Sequence, residues 1–380
     1  MPEVPSLDPD RRMTLRDCRT PRIPRLRRDR PAVRTFENAL YLPHSAARGQ
    51  PSALFDAARR FIPESVDIRG PGDTPSWQRT DWPEEWAAGL PGDVPEAPEE
   101  TYLFLGGAHL HYGHFLVTTL PRFWPLLQGR PAAPILCYAP THEALWQPYR
   151  FAVDILGHLG VGVRDIHAFE APRRLRRVIV PEPAFREEAF AYTVFRDLCL
   201  RIGAGCYDPG EVDADDRPAY LAKTRLPVGV RRFANEEAVT EILAREGVEI
   251  LHPEAMSFSD QVRLFARRRV VAGSLGSALH TALFAPPGRR VAALSPSPQV
   301  NPTFLLVDAL CGNTVAYLHQ PGTAEVEPGA FGSQQRLADP RAAAEGVLRR
   351  IERLAAGERG AFAAAWARLG RLAGREPSEQ

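Results

Sequence analysis

Three stretches of this sequence combine residue types that could hold an anion and move a proton. The first is VVAGSLGSALHTALFAPPG (270–288), which reads as an apolar strand, a glycine-containing turn and a helix opening near Ser277. The unpaired N–H groups of a helix start, with the helix dipole behind them, favour a diphosphate. Gly273 and Gly276 would let the backbone approach it closely. The stretch is neither a P-loop, since no lysine follows the last glycine, nor a G-x-G-x-x-G fingerprint. It is equally the shape of an ordinary strand–turn–helix corner. His280 falls in the first turn of that helix, within reach of whatever the turn binds. A lone helical histidine is, however, more often a packing or surface residue.

The second stretch is HLHYGHFLVTTLPRFWPL (109–126), where His109, His111 and His114 follow an apolar run. Their H-x-H-x-x-H spacing invites a metal, but no carboxylate stands beside them in sequence, and no metal is expected. His114 reads better as a general base at the inner rim of a cleft. The plainer alternative is a set of polar residues at a strand end. The third stretch, AYLAKTRLPVGVRRFANEEAV (219–239), is a strand ending at Lys223 and Arg225, with Arg231 and Arg232 ahead of a helix. Cations at the carboxyl end of a parallel strand suit a nucleotide diphosphate, although most such clusters are solvated charge. Lys223 stands out because it is the single lysine among 47 basic residues. Asp213-Ala-Asp215 spells the D-x-D pair of metal-dependent sugar transferases. It lies in an acidic linker ahead of a strand, where Asp and Pro form turns, and is read as a decoy.

The elements that must position these residues follow from hydrophobic period. Strands are expected at 101–106, 135–139, 176–181, 219–223, 248–251, 270–273, 290–295 and 314–318. Helices are expected at 113–127 (interrupted at Pro121), 142–159, near 187–203, 235–246, 258–268, 277–285, 303–311 and 340–374. Strands alternating with helices predict two doubly wound α/β halves. The break is placed in YDPGEVDADDRP (207–218). This divides the chain into a basic, Pro-rich mobile arm (1–35), an acceptor-side α/β domain (36–212), a donor-side α/β domain (213–330) and a helical C-terminal segment (331–380). A Pro- and Trp-rich stretch at 71–100 reads as irregular loop.

The chain has 380 residues, 44% hydrophobic and 24% charged, with a net charge of +1. That balance describes a globular protein and gives no reason to expect nucleic acid as a partner. No apolar run approaches bilayer length and no secretory leader is evident, so a cytoplasmic location is expected. The arginine-rich arm would suit contact with the anionic inner face of a membrane, or would simply be solvated. Five scattered cysteines without CxxC spacing suggest neither zinc nor disulfides.

Taken in order, these stretches resemble glycosyltransferase family 61, also described as DUF563, in its bacterial branch. The resemblance runs from about 101 to 320. It is carried by Tyr112-Gly-His-Phe-Leu, Leu120-Pro-Arg, Arg232-Phe-Ala-Asn235-Glu236, Ser257-Phe-Ser-Asp-Gln261, the GSLGSAL turn and Phe284-Ala-Pro-Pro-Gly288. It implies a GT-B-like fold and inverting, metal-independent transfer from a nucleotide sugar, with no further cofactor, to a glycan or lipid-linked acceptor of capsule or lipopolysaccharide type. On that reading Lys223, Arg225 and Arg231 neutralise the diphosphate, and Gly273, Gly276 and Ser277 cradle it. Asn301 touches sugar or base, and His114 serves as base with His280 as the alternative. All are expected to line one cleft, with His114 on the opposite wall. Two departures bear on activity: Leu275 stands where many members have histidine, and Ala293 where an acidic residue often ends the strand. A pyruvyl-transferase-like enzyme of polysaccharide synthesis and a degenerate, binding-only protein are the rival readings.

Overall fold

A computed structural model of the chain describes residues 13–16, 18–21, 25–43, 52–70, 91–129, 132–140, 142–226, 231–328 and 332–356. It is a mixed α/β protein built around two six-stranded sheets. Residues 71–90 of the loop expected at 71–100, the C-terminal helix beyond 356 and parts of the basic arm lie outside the described residues.

The C-terminal sheet is wholly parallel. Its order is Met13–Arg16, Thr314–His319, Arg290–Ser295, Val270–Ser274, Ala219–Leu221, Glu249–Leu251. The runs AYL, VVAGS and VAALS are buried throughout and almost wholly apolar because helices cover both faces, as a parallel sheet requires. One edge differs from expectation. Part of the segment read as a mobile arm supplies a strand, with Met13 in register with Val315 and Arg16 with Leu318. Arg25–Arg27 pairs in turn with Phe190–Tyr192. Arginine and proline hide the strand period there, and strand partners just over 300 residues away in the first case cannot be read locally.

The N-terminal sheet is mixed rather than wholly parallel. Its order is Ala53–Phe55, Val33–Leu42, Arg173–Pro181, Thr101–Gly107, Ile135–Tyr138, Ile166–His167. Val33–Leu42 runs antiparallel to both neighbours, so the sheet is mixed. Only the last four residues of that strand are buried, and its exposed first half shows no alternation to betray it. The helix expected from 187 begins at Thr193. Residues 185–192 form a hairpin instead, with Phe185–Arg186 antiparallel to Phe190–Tyr192 and Glu188 in the left-handed region at φ 62°. Tyr112–Gln128 is continuously helical but changes pitch, with a π segment at Phe115–Thr119 and a 3₁₀ segment from Leu120.

The halves share one apolar cluster. Phe115, Phe195, Leu198 and Ile202 pack with Phe258, Leu283, Phe284, Leu306 and Leu310. Arg196, on the helix Thr193–Gly203, is buried and donates to the carbonyls of Ala282, Leu283 and Ala285, the last at 2.8 Å. The D-x-D decoy has structural partners: Asp213 Oδ1 meets Arg289 at 2.9 Å and Asp215 Oδ2 meets Arg268 at 3.0 Å.

Gly203 leaves no room at this junction, since a Cβ there would stand 1.8 Å from the Phe284 carbonyl oxygen. Gly203→Ala must part the helix from the 282–285 segment, at an expected cost of about 3 kcal/mol. Thermal or denaturant unfolding measures it, and wild-type stability in the variant would contradict so close an approach.

Candidate functional site

The site begins at a reversal in strand order. After Met13–Arg16, the strands of the C-terminal sheet follow in chain order as 219–221, 249–251, 270–274, 290–295 and 314–319, yet the second and third of these five flank the first. The crevice between Ala219–Leu221 and Val270–Ser274 is therefore a topological switch point, where ligands of open α/β sheets bind beyond the carboxyl ends. Two of the motifs emerge there: Lys223 after one strand, Gly276 and Ser277 after the other.

Lys223 is half-buried. Its Nζ donates to the carbonyls of Leu275 at 2.7 Å and Arg231 at 3.0 Å. An ammonium has three donors, so two are used. Gly276 is extended at φ 177°, a conformation open to any residue. Its lack of a side chain matters for space, because a Cβ would fall 2.5 Å from the lysine Nζ. Below the amine lies Glu236, 1% exposed. Its Oε2 accepts the Lys223 backbone N–H at 3.1 Å, and its Oε1 accepts from the hydroxyls of Tyr220 at 3.1 Å and Ser274. Burial lowers the Lys223 pKa, Glu236 pulls it back and Arg231 lowers it further, leaving it at about 8. Burial raises the Glu236 carboxyl above its ordinary value against these hydrogen bonds.

Across the shared core stands His114. Its Nδ1 lies 3.2 Å from Glu187 Oε1, which also accepts from Thr118 at 2.8 Å, while Arg69 lies 3.2 Å from Glu187 Oε2. Burial would raise the Glu187 pKa, but its bonds to His114, Arg69 and Thr118 outweigh that and hold it at about 2. Nearby, Asp67 Oδ2 is 2.5 Å from His109 Nε2, and its Oδ1 is 3.3 Å from Arg122. Two of the three histidines, His109 and His114, thus do have companion carboxylates, contrary to the sequence reading. They arrive from 42 and 73 residues away. Among the described residues, no three His, Cys, Asp or Glu side chains converge as metal ligands would.

The halves meet at the motifs themselves. A Cβ on Gly113 would lie 2.8 Å from the Ser277 Cβ, and Tyr112 Oη is 2.6 Å from Thr281 Oγ1. His114 thus neighbours a residue seated against Ser277, and Ser277 follows the glycine that makes room for Lys223. His280 is 5% exposed, its ring 4.6 Å from Phe304, and its Nδ1 has no partner. Burial pushes its pKa down to about 4, with Glu187 opposing and His114 reinforcing.

Other expected residues take different places. Gly273 is buried within its strand, where a Cβ would meet the Leu221 carbonyl at 2.9 Å. It serves sheet packing rather than the approach of a ligand. The segment Ser277–Leu283 is a seven-residue 3₁₀ helix, too short to offer much dipole, so Lys223 is the stronger anion-attracting group. The Arg225 and Arg231 side chains are exposed. Asn301 caps the helix Pro302–Cys311, accepting from Thr303 N at 2.8 Å, and its Nδ2 donates to Glu188 at 2.9 Å. Leu275 and Ala293 are both buried apolar residues.

Because Lys223 is the only lysine, selective labelling gives one side-chain resonance. Its titration midpoint is expected near 8. Glu236→Gln removes the charge that favours the ammonium and should move the midpoint lower. An unchanged or higher midpoint in that variant would show that the carboxylate does not act on the amine.

No curated protein matches this sequence. Residues 112–292, which span the histidine helix, the lysine strand end and the glycine turn, match the family model described as Glycosyltransferase 61. The segments that the geometry brings together at the switch point are those the family model spans, and over these residues the chain is similar to glycosyltransferase family 61.

Proposed function

We propose that the protein transfers a sugar, with inversion, from a nucleotide-sugar donor to a glycan or lipid-linked acceptor of the capsule or lipopolysaccharide type. The observation that carries the reading is the Lys223 ammonium, fixed between two carbonyls at the switch point of a parallel sheet, within the stretch that matches the glycosyltransferase 61 model. A nucleoside diphosphate leaves with growing negative charge, and a preorganised cation with nearby amides stabilises that charge without reorganising. Lys223 would take the diphosphate directly, with the Gly276 and Ser277 backbone beside it and Arg225 and Arg231 closing from solvent. This division of labour requires no divalent ion. His114, tied to Glu187, would take the proton of the acceptor hydroxyl. On this reading the two sheets act as the acceptor and donor walls of a GT-B-like enzyme working at the inner face of the membrane. Among the described residues, no helix is long and apolar enough to cross a membrane.

Binding and chemistry should separate. Lys223→Met should weaken UDP or GDP binding by about 1.5–3 kcal/mol, the worth of a charge-assisted hydrogen bond, and slow transfer as well. His114→Ala should leave nucleotide affinity nearly intact and lower kcat by roughly 10²–10⁴. Calorimetry beside a transfer assay run with and without EDTA reads all three effects. Loss of nucleotide binding in His114→Ala with the chemistry spared would reverse the assignment, and chelator-sensitive transfer restored by manganese would overturn the metal-free mechanism.

A further inference from the structure

A cavity of about 20 Å³ opens behind Glu187, on the N-terminal side of the junction. Its polar lining is Asp67, Arg69, Thr118, Arg122 and Glu187. The charges cancel in pairs. Arg69 meets Glu187 at 3.2 Å and Glu188 at 2.9 Å. Arg122, 1% exposed, meets Asp67 at 3.3 Å and donates to the carbonyls of Val66 at 2.6 Å and Glu64. An anion entering would face two carboxylates, and a cation two guanidinium groups. A hydroxyl both donates and accepts, and here it finds guanidinium donors beside carboxylate and hydroxyl acceptors. The remaining wall includes Pro183 and Phe185, apolar surface suited to the C–H face of a carbon that bears a hydroxyl. The volume admits one water-sized group.

From this lining we infer that the cavity is a subsite for a single hydroxyl of a neutral sugar, the acceptor side of the transfer proposed above. Glu187 is the link, since it lines the cavity and bonds His114 at the same time. A hydroxyl seated there holds the sugar one side chain away from the base. The inference rests on the glycosyltransferase reading for its meaning as an acceptor subsite, but the pocket's preference for neutral polyols is testable alone.

The test uses saturation-transfer NMR on the full chain with methyl hexopyranosides, glucose 6-phosphate and glucosamine as probes. Neutral hexosides should bind, with the charged sugars weaker. Thr118→Val removes a lining hydroxyl, and Ile68→Trp fills the cavity from another wall. Each should lower hexoside affinity by about tenfold or more, with a cooperative melt confirming the fold. The inference is overturned if no hexoside binds the unmodified protein, if both variants bind as well as wild type, or if the anionic sugar binds as tightly as the neutral ones. UDP titrated against the lysine resonance runs alongside. Hexoside binding without any nucleotide effect removes the nucleotide-sugar reading and keeps the pocket; nucleotide binding without hexosides removes the pocket alone.

Discussion

The arrangement depends on one buried cation. Arg196 projects from the helix Thr193–Gly203 of the first half and gathers the carbonyls of residues 282, 283 and 285 in the second. Those carbonyls lie at and just past the end of a short 3₁₀ helix, beside an apolar cluster where an unsatisfied polar group costs about 1–3 kcal/mol. The guanidinium satisfies them and fixes the far end of the Ser277–Leu283 segment. The hairpin at 185–192 leads directly into the helix that carries Arg196. The same docking therefore sets Glu187, and His114 with it, relative to Ser277. Gly203 allows the helix to come close enough.

The Lys223 pocket explains its own residue type. Arginine replaces lysine everywhere else in the chain, yet the space freed by Gly276 and the paired carbonyls of Leu275 and Arg231 accept a compact ammonium. A planar guanidinium is wider and sets its donors in a fixed fork. Glu236 beneath it is bonded on both oxygens. A buried polar network of this kind holds a single geometry when fully satisfied.

Much of this was legible in the sequence where period or rarity carried it. The apolar runs at 101–106, 270–273 and 290–295 located strands, and the solitary lysine drew attention to 223. The carboxylates were not legible, because Asp67 and Glu187 join their histidines through a mixed sheet and a hairpin that local pattern does not reveal. Glu236 entered the sequence reading only as the last residue of the Arg232-Phe-Ala-Asn235-Glu236 motif, and its bonds to Tyr220, Ser274 and the Lys223 backbone join residues 13 to 38 positions away. Several residues that carry the family resemblance turn out to hold the scaffold. Asn235 bonds the Leu337 backbone at 2.9 and 3.0 Å, Ser257 caps a helix through the Asp260 N–H at 3.1 Å, and Arg122 fills the space beside Gly106. The stretches with which part of the family is recognised are thus partly architectural.

The strand Met13–Arg16 has a consequence for how the molecule is made. It is synthesised first and paired among the last, since its partner Thr314–His319 leaves the ribosome some 300 residues later. Until then, the growing C-terminal sheet carries a bare parallel edge, the kind of surface that templates association with other chains. Contacts this distant in sequence also form slowly. Residues 13–16 therefore end the sheet in a strand of four residues, and a fragment cut at the 207–218 linker would instead present the longer strand Thr314–His319 as its edge, even with every residue of the C-terminal half intact.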